Sequence, residues 1–101
     1  ALLSGQLVSP ATVRAMFTDL APMDQGAQTF YGRGVQLYDI PQGPGLMLGH
    51  SGGISGFTSI VAYVADDDMF VSVIFNDQKA PAEAGLWAVV RAVRAHRRTG
   101  R

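Results

Sequence analysis

Two β-type runs separated by three aspartates constrain this chain most. Residues 57–65 read FTSIVAYVA and residues 69–76 read MFVSVIFN, both rich in β-branched and aromatic residues. Only Asp66, Asp67 and Asp68 lie between them. A link that short cannot make the crossover a parallel pair needs, so the two runs must form an antiparallel hairpin. The aspartates are read as its solvated turn. They lack the alternating oxygen ligands, glycine and distal glutamate of a calcium loop.

Helices flank this hairpin. Residues 81–98 carry Leu86, Val89, Val90 and Val93 on one apolar stripe, with Pro81 and Glu83 near the start and arginines near the end. Residues 9–18 predict a shorter helix, with Ser9 as N-cap, Pro10 in the first turn and Val13, Met16 and Phe17 on one face. Ala1-Leu2-Leu3-Ser4-Gly5 reads as a last helical turn closed by glycine, and the chain as part of a longer polypeptide.

Residues 19–29 are loop-like. Residues 30–40, FYGRGVQLYDI, read as one strand interrupted by glycines. Val35, Leu37 and Asp39 fall on one face and Gln36, Tyr38 and Ile40 on the other. Pro41-Gln42-Gly43-Pro44-Gly45 is a turn, after which Leu46-Met47-Leu48 leads into residues 49–57, GHSGGISGF. The expected architecture is therefore α+β: an antiparallel sheet of three to four strands, short N-terminal helices, and the C-terminal helix packed on one face.

Composition excludes several function classes. The 101 residues have a formal net charge of zero and no cysteine, so neither a disulfide framework nor a thiolate metal site is available. With two histidines, His50 and His96, and no H-E-x-x-H spacing, no metal or other cofactor is expected. No apolar run is long enough for a membrane span. Arg91, Arg94, Arg97, Arg98 and Arg101 crowd the tail and read as a solvated helix face. A non-catalytic binding domain using that face for nucleic acid is the alternative, but no aromatic residues interleave to stack bases.

Gly49-His50-Ser51-Gly52-Gly53 matches G-x-S-x-G, the nucleophile elbow of a small α/β-hydrolase-like esterase, which would make Ser51 the nucleophile. An elbow needs a helix directly after the serine. Here three glycines within residues 52–56 precede a β run. A chymotrypsin-like Ser-Gly-Gly would need an upstream catalytic histidine, and none precedes His50.

YGRGV at residues 31–35, GHSGGISGF at 49–57 and VIFND at 73–77, in that order, resemble the C-terminal part of the serine β-lactamase-like family, which includes class C β-lactamases, D-alanyl-D-alanine carboxypeptidases and related esterases. The resemblance covers essentially the whole chain and implies a β-lactamase/transpeptidase-like fold. The family's Lys-Thr-Gly strand, often His-x-Gly, corresponds to His50-Ser51-Gly52. By that resemblance His50 supplies a proton-transfer or electrostatic group and the Ser51 hydroxyl binds substrate. Gly52 lets the backbone approach, and the Gly53 amide forms half of an oxyanion hole. Preorganised amide donors of that kind are worth about 3–4 kcal/mol each.

The resemblance also says what is missing. No serine here is followed by lysine three residues on, and no tyrosine by asparagine two residues on, so the family's Ser-x-x-Lys and Tyr-x-Asn are absent. In the family they lie N-terminal to this part. The implied reading is one portion of a single domain, whose partners are the remaining N-terminal part of the polypeptide and a small-molecule or peptide substrate. That substrate would be a β-lactam, D-amino-acid peptide or ester, and the family favours a periplasmic or secreted location. Tyr31, Tyr38 and Trp87 are assigned to packing.

Overall fold

A computed structural model describes residues 1–23, 29–40 and 42–99. The expected hairpin is present. β5 (Phe57–Val64) and β6 (Met69–Phe75) pair antiparallel from Thr58–Phe75 to Val64–Met69. A 3₁₀ turn over Ala65–Asp67 joins them, with Asp68 in the left-handed region at φ 49°. Aspartate tolerates that conformation better than most residues.

The sheet is larger than expected. Among the described residues it has six strands in sequential antiparallel order, β1 (Ala21–Pro22), β2 (Thr29–Tyr31), β3 (Gln36–Ile40) and β4 (Gly45–Ile54) preceding the hairpin. Two sequence expectations account for the difference. Residues 30–40 are two strands rather than one, because the chain reverses at Gly32–Val35, where Gly32 N donates to Val35 O at 2.7 Å. The segment expected to be loop also adds Ala21–Pro22, paired with Tyr31 and Phe30. Gly26 and Pro41, from the expected loop and turn, lie outside the described residues, as does Arg101.

The helices follow the sequence closely. α1 spans Pro10–Met16, and the Ser9 side chain accepts from the Thr12 amide as the N-cap. α2 spans Ala82–Arg98. The first residues have the hydrogen bonds of a helix C-terminus: Gln6 N to Ala1 O at 3.0 Å and Gly5 N to Leu2 O at 3.2 Å, with Gly5 at φ +80°.

Alternation along the strands sorts the sheet into two unlike faces. Tyr38, Met47, Ile60, Ala62, Val64 and Val71 point to one face and are buried under Ala82, Leu86 and Val90 of α2. Leu86 and Val90 of the predicted stripe are fully buried, whereas Val89 is 41% exposed at its margin. On the other face, Ile54, Phe57, Val61, Phe70 and Ile74 remain exposed. Leu2, Leu3, Val35 and Leu48 gather at a hollow on the same side.

The tail arginines are not simply a solvated helix face. Arg94 donates through Nε to both carboxylate oxygens of Asp67 at 3.0 Å, and through its terminal nitrogen to Oδ2 at 2.7 Å and to Pro44 O at 3.1 Å. Arg97 donates to the Asp67 carbonyl at 2.9 Å. Arg91 and Arg94 stack over Trp87 at 5.3 and 5.5 Å. The aspartate turn and the last turns of α2 thus clamp one end of the sheet to the helix. The Arg94 guanidinium holds the Asp67 carboxyl below its usual range, and Asp67 in turn raises the arginine.

Candidate functional site

All of GHSGGI lies on β4, which runs unbroken to Ile54 before turning at Ser55-Gly56 into β5. Ser51 is therefore in mid-strand. The helix that an elbow requires after its nucleophile is replaced by a hairpin.

β4 is paired on both sides for only part of its length. The β3 ladder runs from Ile40–Gly45 to Gln36–Gly49 and stops there. The β5 ladder continues to Ile54–Phe57. Residues 51–54 thus have a strand on one side and, among the described residues, none on the other.

The Ser51 amide shows which way the free edge points. It donates to Gln36 Oε1 at 2.8 Å, toward the β3 side. Amides two residues apart on a strand point the same way. The Gly53 N–H therefore projects from the free edge, just past the end of β3. The motif glycines differ in what the fold asks of them. A Cβ on Gly49 would lie 2.0 Å from Val61 O, so the approach of β5 requires glycine there. A Cβ on Gly53 would meet nothing within 4 Å, and its φ is not positive. No packing contact explains why Gly53 lacks a side chain.

The same alternation separates the two polar side chains of the motif. Ser51 lies on the α2-covered face. Its hydroxyl donates to Gln36 Oε1 at 3.2 Å, and the Tyr38 hydroxyl donates to the same oxygen. Gln36 is buried at 4% exposure, so its amide oxygen is the hub that orients Ser51. Burial raises the Tyr38 pKa despite the opposing Ser51 contact, which keeps the phenol protonated as a donor. Ser51 and Thr58 open onto a groove beside Pro81 and Glu83 at the start of α2.

His50 lies on the opposite face. Its Nε2 is 2.6 Å from the Tyr31 hydroxyl, and its Nδ1 is 2.5 Å from Ser51 O. The two rings meet edge to face, with centroids 5.4 Å apart and planes at 85°. Gly52 and Gly53 line an open apolar groove with Ile54, Phe57 and Ile74 on this face.

The structure thus brings the backbone groups of Ser51 and Gly53 to one strand edge that has no partner strand among the described residues, but does not bring the His50 and Ser51 side chains together. It adds two residues that sequence reasoning missed. Gln36 had a readable signal, a polar residue on the same inward face as Tyr38. Tyr31, assigned to packing, contacts His50, and its place at the head of YGRGV was the one available hint. Tyr38 and Trp87 do pack as assigned.

Among the described residues, no group of three or more histidine, aspartate or glutamate side chains could hold a metal ion. No helix among the described residues is long and apolar enough to cross a membrane. No family model, curated protein or solved structure matches the chain.

Proposed function

We propose that these residues form the C-terminal portion of a serine hydrolase of the β-lactamase and penicillin-binding type, acting by acyl transfer on a β-lactam, D-amino-acid peptide or ester. The observation that carries this reading is the free edge of β4. An unpaired strand edge ending in an outward amide at Gly53, with no side chain over it, suits a carbonyl that must approach main chain closely. Such an amide is available to a developing oxyanion without reorganisation. Gln36 holds the Ser51 hydroxyl by its proton and leaves the oxygen's lone pairs for a substrate donor.

On this reading the nucleophile, its base and the second oxyanion donor come from an N-terminal part of the same polypeptide. That part would cover the apolar face bearing Ile54, Phe57, Val61 and Phe70, a patch of the kind that marks an interaction surface. The intact enzyme would form an acyl-enzyme and then hydrolyse it. The nucleic-acid alternative has little to support it, because Arg94 and Arg97 are engaged by Asp67.

The test is intact mass after incubation with a penicillin or a fluorophosphonate. The longer gene product takes the label on a serine outside these residues and keeps it when Ser51 is replaced by alanine. The folded 101-residue chain takes none. A label on Ser51, or no label on the longer product, overturns the proposal.

A further inference from the structure

His50 makes two contacts that together specify where its proton sits. The partner of Nδ1 is a backbone carbonyl, Ser51 O, which can only accept. Nδ1 must therefore carry the hydrogen. In the neutral ring Nε2 is then a bare lone pair, and the Tyr31 hydroxyl at 2.6 Å is its donor. The hydrogen bonds set the tautomer, and the edge-to-face packing of the two rings orients the imidazole plane.

The contact joins parts of the chain 19 residues apart. Tyr31 ends β2, immediately before the reversal at Gly32–Val35, and that reversal lies where the β3–β4 ladder gives out beside His50. The turn that leaves the β4 edge free is thus the turn that delivers the phenol to the imidazole.

We propose that Tyr31 is a positioning residue for His50, its hydroxyl and the Ser51 carbonyl together holding the imidazole as the Nδ1–H tautomer with Nε2 turned toward Tyr31. A proton entering or leaving Nε2 then passes by way of the hydroxyl of Tyr31, a residue that is 37% exposed. This goes beyond the hydrolase reading and uses it only for the catalytic consequence. The positioning itself concerns two side chains of this chain.

The experiment is two-bond ¹H–¹⁵N correlation of the imidazole nitrogens at about pH 8, above the ordinary range of histidine. It compares the unmodified protein with Tyr31→Phe and uses the exposed His96 as internal reference. The expected spectrum shows His50 protonated on Nδ1. In Tyr31→Phe the ratio of Nε2–H to Nδ1–H tautomer rises about fivefold, the equivalent of one ordinary hydrogen bond, while backbone amide shifts remote from the site stay in place. A His50 protonated on Nε2 in the unmodified protein overturns the proposal without reference to the variant's folding. So does an unchanged ratio in Tyr31→Phe. An Nδ1–H tautomer in a protein whose longer gene product resists both acylating probes would leave Tyr31 as the positioning residue and remove the hydrolase.

Discussion

Alanine at Gly49 and alanine at Gly53 should behave as opposites, although both glycines lie on β4. At Gly49 the added Cβ would be 2.0 Å from Val61 O and 2.7 Å from the Ala62 Cα, both backbone atoms of the paired strand. Ordinary contact begins at 3.4 Å, so β4 and β5 would have to part locally by about 1.4 Å, the difference of those two distances. Ladder hydrogen bonds near 2.9 Å do not survive such a displacement. Losing about two of them, with the accompanying strain, costs roughly 3–5 kcal/mol. For a chain of this size that lowers the urea midpoint by roughly 2 M. At Gly53 the Cβ enters open space from an unstrained backbone, so stability should hold within about 0.5 kcal/mol. A small gain from reduced freedom of the unfolded chain is also allowed for. The assay is equilibrium urea unfolding of both variants, followed by acylation rate in the longer polypeptide proposed above, where only Gly53→Ala should be folded and slow. A Gly49→Ala midpoint close to that of the unmodified protein would refute the argument from strand approach. Equal loss of stability in Gly53→Ala would show that Gly53 is a folding residue and remove the reason for reading its amide as a ligand contact.

Two further outcomes test the frame that holds the site. Asp67→Asn should cost about 1–2 kcal/mol near pH 7, because it weakens a part-buried, two-oxygen pairing with Arg94. The folded-state pKa of Asp67 is depressed, so this stabilisation is fully present above the ordinary aspartate value of about 3.9 and is lost as pH falls through the lowered folded value. Urea midpoints of variant and parent should therefore converge on acidification, and a gap that stays constant would contradict the ion pair. Leu86→Ala removes a side chain with 0% exposure and should cost about 2–5 kcal/mol. Val89→Ala, at 41% exposure on the same stripe, should cost well under half as much by the same denaturation assay, and comparable losses would mean that α2 packs in another rotation.

Much of the fold was legible because it depends on neighbours in sequence. The β5–β6 hairpin follows from two β-rich runs with no room for a crossover. The Ser9 cap and the Leu86–Val90 stripe follow from helical spacing, and the sorting of Gln36 and Tyr38 from Leu37 follows from strand alternation. The division of residues 30–40 into two strands was not legible. Whether Gly32 and Gly34 interrupt a strand or reverse it depends on whether Thr29–Tyr31 finds Gln36–Tyr38 as a partner, which is a pairing energy rather than a local preference. The fate of the tail arginines was equally hidden, since Arg94 meets Asp67 across 27 residues.

By itself the sequence determined the α+β class, the antiparallel hairpin, both helices and the glycine-rich character of β4, because each follows from steric or hydrophobic preferences repeated over a few residues. Only the tertiary structure decided that His50 and Ser51 face opposite sides of the sheet and that the β3–β4 ladder stops at Gly49, leaving the Gly53 amide at an edge with no partner strand among the described residues. It alone brought Tyr31 to His50 and Gln36 to Ser51. Those outcomes depend on strand register and on where each ladder ends. Register is settled by the whole buried face at once, from Tyr38 and Met47 through Ile60 to Leu86 and Val90. No short window of the chain contains that information.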